Sequence, residues 1–160
     1  MSEPRPQENV WEYPRPPALV VCERRVRIEL GGVLLVDSTR ALRVLETSHP
    51  PTIYVPPQDV DLTHITPSAA RSTFCEWKGS ATYFDAIVGD RTERAVAWAY
   101  PSPTPGFAAL QDHLAFYPSR MDRCRLDEEL VRTQEGDFYG GWITDEIVGP
   151  FKGGPGTWGW

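Results

Sequence analysis

At 160 residues, 41% of them apolar and 24% charged, the chain has the length and balance of one globular domain that needs no covalent staples. A net charge of −6 excludes nucleic acid and anionic membrane as bulk partners, since neither attracts an acidic surface. Three widely spaced cysteines (Cys22, Cys75, Cys124), a polar start and no long apolar run exclude a disulfide scaffold, a signal peptide and a membrane span. The cytoplasm is the expected location.

Residues 1–17 carry five prolines and read as an arm with little regular structure, pinned to the body by Trp11 and Tyr13. From Ala18 the apolar period becomes two. L-V-V-C-E-R-R-V-R-I-E-L, Gly31-Gly32 and V-L-L-V-D together spell two strands around a tight turn. The basic run from Glu23 to Arg27 reads as the solvent face of such a strand. Arg40 to Glu46 fits a strand or one helical turn, and T-I-Y-V (52–55) is a short strand.

Asp59 to Pro67 reads as a connector. Thr73–Phe74, Thr82 to Val88 and Arg94 to Tyr100 then read as strands rich in threonine and aromatic residues, with a turn at Gly89-Asp90. Ala108 to Leu110 suits a helical turn, H-L-A-F-Y-P and Cys124 to Leu126 suit strands, and Asp127 to Arg132 suits a weak helical turn. The expected fold class is mainly β, two antiparallel sheets with few short helices, over one domain at 18–135. In the tail, 136–160, glycines forbid regular structure. Phe138, Tyr139, Trp142, Phe151, Trp158 and Trp160 are nevertheless costly to leave in water, so this segment is expected to pack on the body or on a second subunit as a homodimer.

Established chemical motifs are mostly missing. Gly149 to Gly154 has the glycines of a phosphate loop, but Pro155 replaces the lysine; Lys152 inside it keeps a phosphate contact open. Gly79-Ser80 precedes Asp85 without the second carboxylate of a two-metal transferase. There is no C-x-x-C or H-E-x-x-H, and His49, His64 and His113 are scattered, so neither metal nor cofactor is expected.

What remains is T-F-C-E-W-K-G-S-A-T-Y-F (73–84) and A-V-A-W-A-Y-P (95–101), two segments that read as neighbouring strands. On strand spacing Thr73, Cys75 and Trp77 share a face, as do Trp98 and Tyr100, while Tyr83 lies opposite Thr82 and Phe84. Trp77, Trp98 and Tyr100 would form an aromatic box with Lys78 at its rim, and Gly79 would permit close backbone approach. The alternative is an ordinary sheet core. Thr73, Cys75, Trp77, Lys78, Tyr83, Trp98 and Tyr100 are thus the candidate ligand-binding residues, for a small planar or cationic molecule whose carbonyl or negative group meets Lys78. Two rival readings stand beside it. Cys75 could be a nucleophile, its pKa lowered by Lys78 and its proton taken by His64 or His113. The aromatic tail could instead serve assembly.

Several of these segments together resemble a known family. V-D-S-T-R-A-L-R-V-L-E (36–46), I-Y-V-P-P-Q-D-V (53–60), the 73–84 segment, A-W-A-Y-P-S-P (97–103) and L-A-F-Y followed by Asp122 resemble domain of unknown function 427, also labelled nucleotidyltransferase-like. The resemblance implies a fold similar to the β-tent, two antiparallel sheets meeting at an angle, as in the thalidomide-binding domain of cereblon. Cereblon-like domains hold small heterocycles in a tryptophan cage and a zinc on paired C-x-x-C motifs; without those pairs the zinc is not carried over. The family's arginine in the second segment is replaced here by Pro57, so its contacts are not carried over either.

Overall fold

The computed structural model describes residues 5–69, 72–75, 78–134, 140–153 and 156–157, with backbone alone at 74 and 75. In chain order the strands are β1 (Glu8–Asn9), β2 (Ala18–Val21), β3 (Val26–Leu30), β4 (Val33–Ser38), β5 (Leu42–Leu45) and β6 (Thr52–Tyr54). Next come β7 (Ile65–Pro67), β8 (Thr73–Cys75), β9 (Gly79–Val88), β10 (Arg91–Ala99) and β11 (Leu114–Phe116). The last are β12 (Arg123–Leu126), β13 (Glu129–Leu130), β14 (Arg132–Thr133), β15 (Trp142–Ile143) and β16 (Ile147–Val148). Helical residues among those described belong to short 3-10 turns.

The chain is mainly β, as the alternation predicts, and its antiparallel pairing is spread over several sheets. The largest has the order β11-β10-β9-β7, with β8 also paired to β9. A four-stranded sheet runs β13-β12-β3-β4, and a three-stranded one β2-β5-β6. The hairpin expected at Gly31-Gly32 joins β3 to β4, with both glycines at positive φ. Alternation in β3 turns Val26, Ile28 and Leu30 inward. They join Val96, Ala97, Leu114 and Phe116 from the large sheet in the main core. On the other face of the large sheet, Trp98, Tyr100 and Ala115 pack against Val44 and Tyr54 of the three-stranded sheet. Paired hydrogen bonds of 2.8 Å between Val55 and Leu114 tie these two sheets together at one edge.

Four segments differ from the sequence expectation. The connector ends in a strand, since β7 pairs with Ala86, Asp85 and Phe84 of β9. Asp127 to Arg132 holds no helical turn: Asp127 takes φ 53°, and Glu129–Leu130 folds back on β12. A run this short cannot repay helix nucleation when a strand edge is already in place beside it. In the tail, glycines do not prevent β15 from pairing with β14. Finally β1, in the N-terminal segment, pairs in parallel with β16.

That pairing rests on side chains. Val10 is fully buried with Tyr13 and Ile147, and the Trp11 indole donates to the Pro150 carbonyl at 2.8 Å. Tyr13 donates to Glu8 (2.7 Å), which also accepts from Arg43 of β5 (2.7 Å). The basic run is not a plain solvent face either. Arg24 is buried and reaches Asp127 (3.1 Å), Glu129 (3.3 Å), Glu146 (3.1 Å) and the Leu126 carbonyl (2.8 Å). Its side chain latches the β12–β13 turn and the tail to the body.

Candidate functional site

The hairpin β9–β10 aligns Trp98 with Tyr83 and Ala99 with Thr82, so the two segments singled out in the sequence are indeed neighbours. Period-two alternation then puts Tyr83, Trp98 and Tyr100 on one face, and on β11 Ala115 lies opposite Trp98. Above this face lies a solvent-open hollow of about 320 Å³. Thr73, Lys78, Tyr83, Trp98 and Tyr100 all line it. The Cys75 backbone pairs with Gly79 at the start of β9. The Cys75 side chain and Trp77 lie outside the described residues.

The aromatic wall is closely packed. The Trp98 indole donates to the Tyr54 hydroxyl at 3.2 Å, with the two rings edge-to-face at 6.2 Å. Tyr117 lies 4.6 Å from Trp98, and Tyr54 lies 6.3 Å from Tyr100, both tilted. Such pairs add about 0.5–1.5 kcal/mol each beyond burial. Hydroxyls form a second line: Thr73 and Tyr83 are 2.8 Å apart, and Tyr83 also bonds Tyr117. Burial pushes the Tyr117 phenol up, and its neighbour Tyr83 adds to the effect.

Lys78 sits where the β8–β9 connection ends. Its carbonyl accepts from Thr104 (3.1 Å), and Gly79 beside it has φ 107°, with any Cβ there 3.2 Å from the Ser102 carbonyl. The close approach expected of this glycine is thus present, and it comes from the proline-rich loop. The Lys78 residue is only 9% exposed, and its ammonium lies 6.0 Å from the Tyr100 ring centre.

Sequence reasoning missed the opposite wall. Glu46 and His49 follow β5, Thr52 and Tyr54 belong to β6, and Gln134, Gly140 and Lys152 come from the C-terminal region. Alternation could have found Tyr54 and Tyr117; nothing local marks His49 or Gln134. Gln134 fastens this wall, donating to the Lys152 carbonyl and accepting from the Gly141 amide. A Cβ on Gly140 would stand 2.4 Å from Trp98 Cη2, so only glycine lets the chain close over the indole. His49 Nδ1 lies 2.9 Å from the Thr47 carbonyl, which can only accept, so that nitrogen carries the proton. Burial holds the His49 pKa below the ordinary histidine value; Lys152 and Lys78 act in the same direction and Glu46 opposes them.

Neither of the two histidines considered as bases belongs to the hollow. His64 contacts the Ile87 carbonyl and Asp61, His113 the Gln111 carbonyl, and neither lines the hollow. Cys22 and Cys124 are buried, and burial pushes both thiols up, away from thiolate chemistry. Among the described residues no His, Cys, Asp and Glu side chains gather in a group of three able to hold a metal. No helix among them is long and apolar enough to cross a membrane.

A second cavity of about 290 Å³ lies under the N-terminal segment, beside Arg24, Arg43 and Glu8. Its arginines are already paired, Arg24 with three carboxylates and Arg43 with Glu8.

A comparison with curated proteins returns no match. A family model described as a domain of unknown function (DUF427) matches residues 18–127, which span both segments of the aromatic wall together with Lys78. The chain therefore belongs to the DUF427 family.

Proposed function

We propose that this chain is a cytoplasmic small-molecule-binding protein whose site is the hollow between the large sheet and the β2-β5-β6 sheet. The observation that supports this best is the convergence of Thr73, Lys78, Tyr83, Trp98 and Tyr100 on one space of about 320 Å³. That volume falls within the range of small-ligand sites, and aromatic side chains line it together with polar and charged ones. The ring of a planar ligand would lie against the Tyr100 and Trp98 side of the hollow. Its carbonyl or negative group would meet Lys78, and its hydroxyl or amine groups the Thr73–Tyr83 line.

Removing one wall should weaken binding without emptying the core. Tyr100→Leu keeps most of the apolar volume and removes the ring, and about tenfold weaker binding is expected for any metabolite identified by thermal shift on the full chain. Titration calorimetry with an unchanged dissociation constant in Tyr100→Leu would remove the hollow as the site.

A further inference from the structure

We propose that residues 5–13 act as a strap that sets the hollow's facing wall, so that docking of the strap and binding of a ligand are thermodynamically linked. This rests on the reading of the hollow as a binding site, and it adds a control that lies outside that site.

None of residues 5–13 lines the hollow. Their hold on the wall runs through the turn between β5 and β6, where Glu46 and His49 line the hollow and Thr47 and Ser48 lie between them. The strap holds those two middle residues. The Val10 carbonyl accepts from the Ser48 amide (3.0 Å), and the Tyr13 carbonyl accepts from the Thr47 hydroxyl. Ser48 passes the contact on, because its own carbonyl accepts from the amide of Lys152 (2.8 Å), which also lines the hollow. One fully buried residue thus joins strap, turn and C-terminal wall.

The backbone of Ser48 shows how much depends on these bonds. Its φ is 70°, a left-handed conformation that serine rarely adopts. Such a conformation persists only where the surroundings over-determine it, and here amide and carbonyl are each held by a segment remote in sequence. Release of the strap removes one of the two holds. The strap is also tied to the C-terminal region directly. The Glu8 amide donates to the Glu146 carbonyl (2.8 Å), and the Trp11 indole donates to the carbonyl of Pro150, two residues before Lys152. Strap and Lys152 both lie outside residues 18–127, the part matched by the family model, and they meet across a turn inside it. Contacts of this kind can open without global unfolding, and a ligand that needs the closed form suppresses the opening.

The test is amide hydrogen exchange on the full chain in wild type, Trp11→Ala and Thr47→Val, with and without indole-3-acetamide, a neutral planar probe. Trp11 is 40% exposed and valine keeps the shape of Thr47, so neither change empties the core. Both variants should speed exchange at the Ser48 amide, which the strap covers, and by a similar factor at the Lys152 amide, which bonds to Ser48 and not to the strap. Calorimetry should show the probe binding about fivefold more weakly in each variant, and saturating probe should slow both amides in the wild type by at least that factor. A strap that only stabilises the fold would not produce this reciprocity. Faster exchange at Ser48 with Lys152 and the dissociation constant unchanged overturns the linkage and leaves the hollow as a site, as does unchanged exchange in both variants. Amides that move together while the probe fails to bind, or binds equally well to Tyr100→Leu, overturn the reading of the hollow and the linkage with it.

Discussion

Trp142→Ala is expected to cost the protein about 3–5 kcal/mol, a large share of the 5–15 kcal/mol that typically separates folded from unfolded domains. Trp142 belongs to a glycine-rich segment, yet it is 1% exposed and packs in the main core with Ile53, Phe116 and Leu126. Its amide donates to the Pro51 carbonyl (2.8 Å) and its indole to the Phe116 carbonyl (3.3 Å). Alanine removes the largest fully buried side chain and leaves the Phe116 carbonyl without that donor. Urea unfolding followed by far-ultraviolet circular dichroism should show the midpoint falling sharply. A loss under 1 kcal/mol would mean that this indole is not inside the core. The same contacts predict that the C-terminal region cannot be removed as an appendage, since it supplies a piece of the fold.

Arg24→Ala should be nearly as severe, on the order of 3 kcal/mol at neutral pH. The guanidinium is shared by Asp127, Glu129 and Glu146, of which Glu146 is nearly buried. Truncation leaves three carboxylates facing one another around an empty space and frees the Leu126 carbonyl. The effect carries a pH signature. Burial alone would raise the Asp127 pKa, but the Arg25 amide and the Arg24 guanidinium together hold it below the usual carboxylate value. A depressed carboxylate stabilises the folded state above its unfolded pKa of about 4, and that contribution disappears as pH falls through the lower folded value. Wild type and Arg24→Ala should therefore converge in stability below about pH 4. A difference that stays constant from pH 7 to pH 3 would show that Arg24 acts through packing alone.

What the sequence disclosed follows from the range of the forces involved. The hairpins at Gly31-Gly32 and Gly89-Asp90 were legible because turn and alternation are local, as was the shared face of Trp98 and Tyr100. The proximity of 73–84 to 95–101 follows from the same hairpin. The facing wall was hidden because it is closed by contacts between residues far apart in the chain, Ser48 with Lys152 and Pro51 with Trp142. Alternation reports burial and not partners, so Tyr54 reads as one more inward residue although it accepts the Trp98 indole proton. Arg24 misled for a related reason. A run of arginines looks solvated until the chain returns at Asp127 and Glu146 with matching charge. Gly140 carries no local signal, and its necessity is visible only beside Trp98.

The central claim, that the hollow is where a ligand sits, is tested most directly by a crystal structure of the full chain grown with the tightest-binding metabolite identified by thermal shift. Density for the aromatic ring is expected beside Tyr100 and Trp98, with a polar group of the ligand directed towards Lys78. Density in the cavity beside Arg24 and Arg43, with the hollow holding only water, would contradict it.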